Sequence, residues 1–159
     1  MRSAALAVVI TAMLTPQGVR GQEQVPGLDG AWTITAMTAS GGQVVTSPQP
    51  GVLLFTGGHY SYTLVTGDVP RPDLPRGVVT TADLLRVWNP FSANAGRFEV
   101  SGDTMIRRPI VAKNPDAMAP GAYNAYTFRL DADTLWVTTV GTESGPARNP
   151  TTVRYLRLR

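Results

Sequence analysis

Apolar and polar side chains alternate with a period of two along most of this chain, in short segments separated by turn-forming residues. This alternation predicts antiparallel β-strands that each bury one face. In the first segment, residues 31–39, it places Trp32, Ile34 and Ala36 on the same face. Further segments of this kind follow to the C-terminus, so the pattern predicts about eight strands.

Short turns join three pairs of these segments and therefore predict hairpins. The first turn contains Gly57-Gly58, a strong signal for a two-residue loop. The other two turns end in Asp-Thr, and their spacing sets Val100 opposite Met105 and Leu130 opposite Leu135. The strands predicted after the first are residues 51–55, 60–65, 97–100, 105–112, 122–130, 135–140 and 152–158.

One segment, residues 81–88, has the spacing of a helix. Leu84, Leu85 and Trp88 recur at helical intervals, and Thr81 is the expected N-cap. A proline-rich stretch, residues 67–77, precedes this segment and is predicted to be irregular.

Strands that are joined mostly to their sequence neighbours can close into a barrel, which removes the exposed edges of an open sheet. The predicted fold class is therefore all-β, a single antiparallel up-and-down β-barrel of about eight strands with one short helix. A barrel of this size has an interior that side chains can fill or that holds one small ligand.

Residues 1–21 have the pattern of a leader and not of a strand. Arg2 precedes an uncharged apolar stretch, residues 4–14, which has the length of a signal-peptide core and is too short to span a bilayer. We expect residues 1–21 to be a signal peptide and residues 22–159 to form the barrel domain. The protein would then be exported, to the periplasm or the medium, without stable membrane insertion after the leader is removed. A buried N-terminal helix is the alternative interpretation.

Composition supports a folded domain and argues against one class of partner. Apolar residues make up 43% of the chain and charged residues only 16%, and the absence of cysteine excludes disulfides. Removing Arg2 and Arg20 with the leader leaves 12 of the 14 basic residues against 11 acidic ones. These charges are dispersed, and nucleic-acid binding needs a concentrated basic surface. We therefore expect no nucleic-acid partner.

Five short motifs occur in order along the chain. They are Gly30-Ala31-Trp32, GVLLFTGGHY at 51–60, GRFEVSGDT at 96–104, LDADTL at 130–135 and YLRLR at 155–159. Through these motifs the chain resembles the bacterial lipocalin-like domain family over residues 28–159. The resemblance implies a small barrel that binds a small hydrophobic or amphipathic molecule inside. Residues 81–95 depart from the family, which often has an alanine-rich helix here, because they are more polar and interrupted by proline.

The resemblance further implies that Trp32, with Gly30 before it, plugs the closed end of the barrel under an arginine of the last strand. That strand is expected to run antiparallel beside the first, which brings its final residues next to Trp32. Arg157 is the predicted partner and Arg154 the alternative. A cation–π contact there would contribute ~0.5–2 kcal/mol. The other interpretation leaves both arginines facing water.

Bulky side chains dominate the positions that are expected to face the barrel interior. Such a lining suits a pocket for a small apolar ligand, and it equally suits a filled core. The resemblance favours the pocket, with Tyr60, Tyr62, Tyr126 and Phe128 among the ligand contacts. The full predicted inward set is Leu54, Tyr60, Tyr62, Leu64, Phe98, Met105, Tyr126, Phe128 and Val137.

Arg107 and Arg108 are adjacent in a predicted strand, so one of them must point inward. The hairpin register favours Arg107, whereas the apolar residues Ile106 and Ile110 favour Arg108. A bulge at Pro109 would reconcile the two arguments. A buried arginine needs a partner, and we expect Arg107 to bind a carboxylate or phosphate of the ligand. The alternatives are pairing with an internal acid such as Glu99 and a bulge that turns both arginines outward.

No set of residues indicates catalysis, a metal or a cofactor. His59 is the only histidine, lies beside the Gly57-Gly58 turn and is expected to be exposed. Asp131 and Asp133 are explained as turn formers. With no cysteine and no second histidine, the usual zinc and haem sites are excluded. We therefore expect a binding protein more than an enzyme. The alternatives are a cofactor-free barrel enzyme of isomerase or cyclase type and a structural or interaction protein with a solid core.

Overall fold

The computed structural model describes residues 25–159 and confirms the predicted fold class. Eight long antiparallel strands form an up-and-down barrel. The barrel is closed because the last of these strands pairs both with the first and with the strand before it. The predicted leader, residues 1–21, lies outside the described residues. The strands are β1 (Gly30–Thr38), β2 (Val44–Val45), β3 (Gly51–Thr56), β4 (His59–Val65), β5 (Phe91–Ser101), β6 (Thr104–Ala112), β7 (Asn124–Asp131), β8 (Thr134–Thr142), β9 (Gly145–Pro146) and β10 (Thr152–Arg157); β2 and β9 are short additions to the barrel.

The three predicted hairpins form with the predicted registers. Val100 pairs with Met105, and Leu130 pairs with Leu135. Between β3 and β4, Gly57 and Gly58 both have positive φ, 51° and 79°, the conformation that a two-residue hairpin turn of type I′ requires. These turns fix which residues of each strand face the interior, since side chains alternate between the two faces.

Two strand predictions need correction. Strand β5 begins at Phe91 rather than at residue 97, because its inner face there carries small and polar residues that show no apolar alternation. In β1 a bulge between Ile34 and Ala36 shifts the register. Ala36 therefore pairs with the exposed Arg154, and Met37 takes the inner position and packs against the core.

The predicted helix, α1 (Thr81–Trp88), is present, but its N-cap is Thr80 and not Thr81. Thr80 accepts a hydrogen bond from the backbone N–H of Asp83, whose carboxylate in turn accepts one from the Thr80 backbone N–H. This reciprocal capping box explains where the helix begins. A 3₁₀ helix (Pro115–Met118) lies between β6 and β7. Among residues 25–159, no helix is long and apolar enough to cross a membrane.

The two ends of the barrel differ in packing. Three tight hairpins meet at one end, where Val25 and Leu28 pack against the core and close it. At the other end, the longer connections that hold α1 and the 3₁₀ helix leave inward-facing residues only partly buried, among them Met37, Tyr62 and Asn94. The barrel is therefore more tightly packed at its closed end than at the other, which we call the open end. The buried apolar core is Leu28, Trp32, Ile34, Leu53, Phe55, Tyr60, Phe98, Val100, Met105, Leu135, Val137 and Tyr155.

Candidate functional site

A bulge in β6 determines which of the two adjacent arginines points inward. Gly96 pairs with Pro109 and Ala95 pairs with Val111, so Ile110 is the extra residue. A Cβ on Gly96 would collide with the backbone of the opposite strand, so this position needs glycine. Below the bulge the hairpin register holds, and it sets Arg107 opposite the buried Phe98. The bulge is thus next to Pro109, the position at which the sequence predicts it.

Arg107 is buried and Arg108 is exposed. Arg107 is 3% accessible to solvent, whereas Arg108 lies on the outer face with its Nε 3.7 Å from a carboxylate oxygen of Glu99. Glu99 is therefore not an internal partner of Arg107. No carboxylate among residues 25–159 lies within ion-pairing distance of the Arg107 guanidinium.

Aromatic rings surround the Arg107 guanidinium. Its Cζ lies 5.1, 5.2 and 4.5 Å from the ring centroids of Phe55, Tyr60 and Tyr126. Its Nε donates to the sulfur of Met105 at 3.2 Å, and its Nη2 has no hydrogen-bond partner. Desolvating an isolated charge costs several kcal/mol, and each cation–π contact returns only ~0.5–2 kcal/mol. The three ring contacts offset part of this cost, and Nη2 still lacks an acceptor.

Phenol groups beside Arg107 remain neutral donors. Burial raises the pKa of Tyr60 and of Tyr126, although the positive charge of Arg107 opposes the shift. The hydroxyl of Tyr60 is buried and has no hydrogen-bond partner. Tyr60 and Arg107 together can thus offer an O–H and an N–H to one ligand group.

Higher in the barrel, Tyr62 and Asn94 form a second polar contact. They are directly opposite each other on β4 and β5, and the Asn94 Nδ2 donates to the Tyr62 hydroxyl at 3.1 Å. The Ser92 hydroxyl lies 3.4 Å from the same phenol oxygen. Sequence reasoning missed Asn94, because it lies in the part of β5 that was not predicted. The period-two series of Asn94, Gly96, Phe98 and Val100 was the signal that could have placed it.

The remaining predicted interior positions divide into correct and incorrect ones. Phe128 and Val137 pair with each other and belong to the core region. The prediction for Leu54 is wrong, because this side chain is 42% exposed. The two-residue turn pairs Phe55 with Tyr60, which turns Phe55 and Leu53 inward and Leu54 outward.

At the closed end the structure places Trp32 under the guanidinium of Arg157. The Arg157 Cζ lies 4.1 Å from the centroid of the Trp32 ring, and the two residues are paired across β1 and β10. Trp32 is fully buried, and its indole N–H donates to the carbonyl of Leu28 at 3.0 Å. Arg154, the alternative, points outward and donates to the Thr35 hydroxyl.

The Arg157 guanidinium also has hydrogen-bond and ion-pair partners. It donates to the carbonyls of Asp29, at 3.0 Å, and Gly27, and its Nε lies 3.3 Å from the Asp133 carboxylate. Gly30 has a φ of 140°, and a Cβ there would lie 2.5 Å from the Arg157 Nη1. Glycine is therefore required beside this arginine, and Gly30, Trp32 and Arg157 form a structural cluster at the base of the barrel.

A concavity of about 300 Å³ borders β4, β5 and β6. Lys113 donates to three backbone carbonyls there, those of Trp88, Asn89 and Phe91, at 2.6, 3.2 and 2.7 Å. Its charge is thus used to hold the end of α1. The other lining residues are Ser61, Tyr62, Thr63, Ala93, Asn94, Ala95, Val111 and Ala112.

His59 is exposed at the closed end, and its Nδ1 lies 3.1 Å from the carbonyl oxygen of Gly57. Within residues 25–159 no three His, Cys, Asp or Glu side chains come together in a way that could hold a metal ion. The chemistry available inside the barrel is therefore that of a guanidinium, phenols and an amide.

The strand pairing and the closed end carry the fold assignment. The architecture is a closed antiparallel up-and-down barrel of eight long strands. No protein-family model matches this sequence, and no curated protein matches it either. Among solved structures, the chain is similar to a lipocalin-like protein from Bacteroides uniformis ATCC 8492, with 12% identity and a TM-score of 0.48. The similarity covers 82% of this chain and 98% of that one.

Proposed function

We propose that this protein binds a small amphipathic molecule inside the barrel and that Arg107 holds the acidic group of that molecule. The observation that carries the proposal is the buried Arg107 guanidinium, whose Nη2 lacks a hydrogen-bond partner. An arginine is always charged in a protein, so a carboxylate at this point would supply both the missing acceptor and the missing charge.

The barrel around Arg107 supports this proposal. Tyr60 adds an unused hydroxyl beside the guanidinium, and its buried ring supplies apolar contact. Met37 and Tyr62 lie towards the open end and are only partly buried, and we infer that the apolar tail of the ligand extends past them. A few fixed polar groups in an apolar concavity are typical of small-molecule sites.

Calorimetric titration of the purified protein with decanoate, and with methyl decanoate as the neutral analogue, tests the proposal. We expect decanoate to bind about tenfold or more tightly than its ester, because only the acid satisfies the guanidinium. Arg107→Leu should remove this preference. Arg108→Leu, the matched control on the outer face, should retain it. Equal affinities for acid and ester in the unchanged protein, or a preference that survives Arg107→Leu, would contradict the proposal.

We also propose that the protein is exported, on the strength of the apolar stretch at residues 4–14 after Arg2. The intact mass of the protein recovered from its own host tests this. A mass that begins at or near Gln22 supports export, and a mass that begins at Met1 contradicts it. A native mass that exceeds the denatured mass by a discrete increment would, in addition, identify the bound molecule by weight.

A further inference from the structure

Three buried polar atoms inside the barrel lack hydrogen-bond partners. They are the Nη2 of Arg107, the hydroxyl of Tyr60 and the Oδ1 of Asn94. All three belong to neighbouring strands, β6, β4 and β5. Buried polar atoms in proteins are nearly always hydrogen-bonded, so three on one wall indicate groups that a ligand completes.

The three atoms differ in what they can accept or donate. The Nη2 of Arg107 only donates, and the hydroxyl of Tyr60 can do either. The Oδ1 of Asn94 can only accept. The Nδ2 of the same amide already donates to the Tyr62 hydroxyl. A carboxylate also only accepts, so a plain fatty acid would satisfy Arg107 and Tyr60 and leave Asn94 without a partner.

The position of Asn94 shows where on the ligand the missing donor must lie. Tyr60 pairs with Gly96, and Tyr62 pairs with Asn94, two residues further towards the open end. Two residues along a strand span ~7 Å. The donor that Asn94 needs therefore lies several bonds from the acidic group, on the part of the ligand that extends towards the opening.

We propose that the ligand is a hydroxylated amphiphile, a carboxylic acid whose chain carries a hydroxyl that donates to the Asn94 Oδ1. This inference rests on the proposed function, since it assumes that the acidic group lies at Arg107. Asn94 then selects among acids, and Tyr62 is a positioning residue that fixes the orientation of the amide.

The test compares decanoate with a series of hydroxydecanoates that differ in the position of the hydroxyl, and with the corresponding methoxydecanoates, by calorimetry. We expect one mid-chain hydroxydecanoate to bind about tenfold more tightly than decanoate, because its hydroxyl donates to the buried acceptor. The matching methoxy acid, which can only accept, should lose this advantage. Equal binding of all hydroxy acids and decanoate overturns the inference and leaves the proposed function standing. Failure of every acid to bind better than its neutral ester overturns both.

Variants assign the effect to the amide. Asn94→Leu, which has a similar volume, should remove the advantage of the hydroxyl, so that the hydroxy acid binds no more tightly than decanoate. Thr63→Val, which removes a polar group from the outer face of the neighbouring strand, should retain that advantage. Tyr62→Phe should reduce the ratio of hydroxy-acid to acid affinity more than it reduces decanoate affinity, because it releases the amide without removing it. A hydroxyl advantage that persists in Asn94→Leu overturns the inference.

Discussion

Two arginines face the inside of this barrel, and their surroundings differ. Arg157, at the closed end, lies on Trp32 and donates to two backbone carbonyls, with the Asp133 carboxylate beside it. Arg107, in the middle of the barrel, is also surrounded by aromatic rings, but it has no carboxylate among the described residues and leaves Nη2 without a partner.

The difference separates structure from binding. Arg157 is satisfied by the folded chain itself, so its interactions stabilise the closed end. Arg107 is satisfied only in part, so the protein retains a cost that a stability role does not explain. An incomplete set of partners is thus the better indicator of a binding role than the presence of a buried charge.

The largest effect on stability should come from the base of the barrel. Trp32→Ala removes a fully buried indole, the support of Arg157 and a hydrogen bond to Leu28. We expect a loss of about 3–5 kcal/mol in the free energy of unfolding, measured by denaturant titration. A loss below about 1 kcal/mol would show that the closed end is not a stabilising cluster.

Replacing each arginine by leucine should change stability in opposite directions. Arg157→Leu leaves two carbonyls without their donor and leaves Asp133 with Arg159 as its remaining partner, and we expect it to cost about 2–3 kcal/mol. Arg107→Leu removes a buried charge without an ionic partner, and we expect it to gain about 1 kcal/mol in ligand-free protein. Denaturant titration of both variants measures the two shifts. The same sign for both would remove the distinction between the two arginines.

A smaller loss of stability is expected from a substitution at Gly30, which lies next to Arg157. Gly30→Ala places a Cβ 2.5 Å from the Arg157 Nη1, at a φ of 140°, and should lower the free energy of unfolding by about 1–2 kcal/mol. Gly41→Ala is the control, since a Cβ at Gly41 has open space around it. Equal thermal stability of the two variants would show that Gly30 is not needed for this packing.

The most gradual change in the free energy of unfolding is expected at alkaline pH. Burial raises the pKa of Tyr155 to about 12, and it also raises the pKa values of Tyr60 and Tyr126. These phenols stay neutral in the folded protein after they ionise in the unfolded chain, so their contribution is complete below the unfolded value of 10.0 and is lost as pH rises beyond it. We expect a slope of ~1.4 kcal/mol per pH unit for each such phenol.

Thermal melts across this alkaline range, together with the absorbance of ionised phenol, measure that slope. Tyr155→Phe should make it shallower, and Arg107→Leu should raise the pKa of Tyr60 further, because the opposing charge is gone. Tyrosines that all ionise near the unfolded value in the native protein would contradict the packing described around Arg107.

Local pattern predicted the fold well because short hairpins set most of the architecture. The turn at Gly57-Gly58 and the registers of Val100 with Met105 and Leu130 with Leu135 follow from spacing alone. The side of the sheet on which a residue lies is less certain, because one bulge reverses it. Ala36 was assigned wrongly for this reason. At Arg107 the hairpin end of the strand gave the right side, since the bulge lies beyond it.

The candidate site was predictable only in part. Arg107 could be found because a charge in an alternating strand is conspicuous. Asn94 was harder to find, because polar and small residues on the inner face of β5 break the apolar alternation that identifies a strand, and only its period-two spacing from Phe98 places it. Polar residues face inward in the open half of this barrel, so pattern analysis is weakest at the place where we propose that the ligand binds.

Lys113 is the only lysine in the sequence, and its ammonium is held by the carbonyls at the end of α1. Amine-directed reagents therefore have a single side-chain target in this protein besides the terminal amine. Acylation of that target would abolish the charge that fixes the helix beside the open end. A fluorophore attached there would report on the movement of this connection, while the interior of the barrel stays unlabelled.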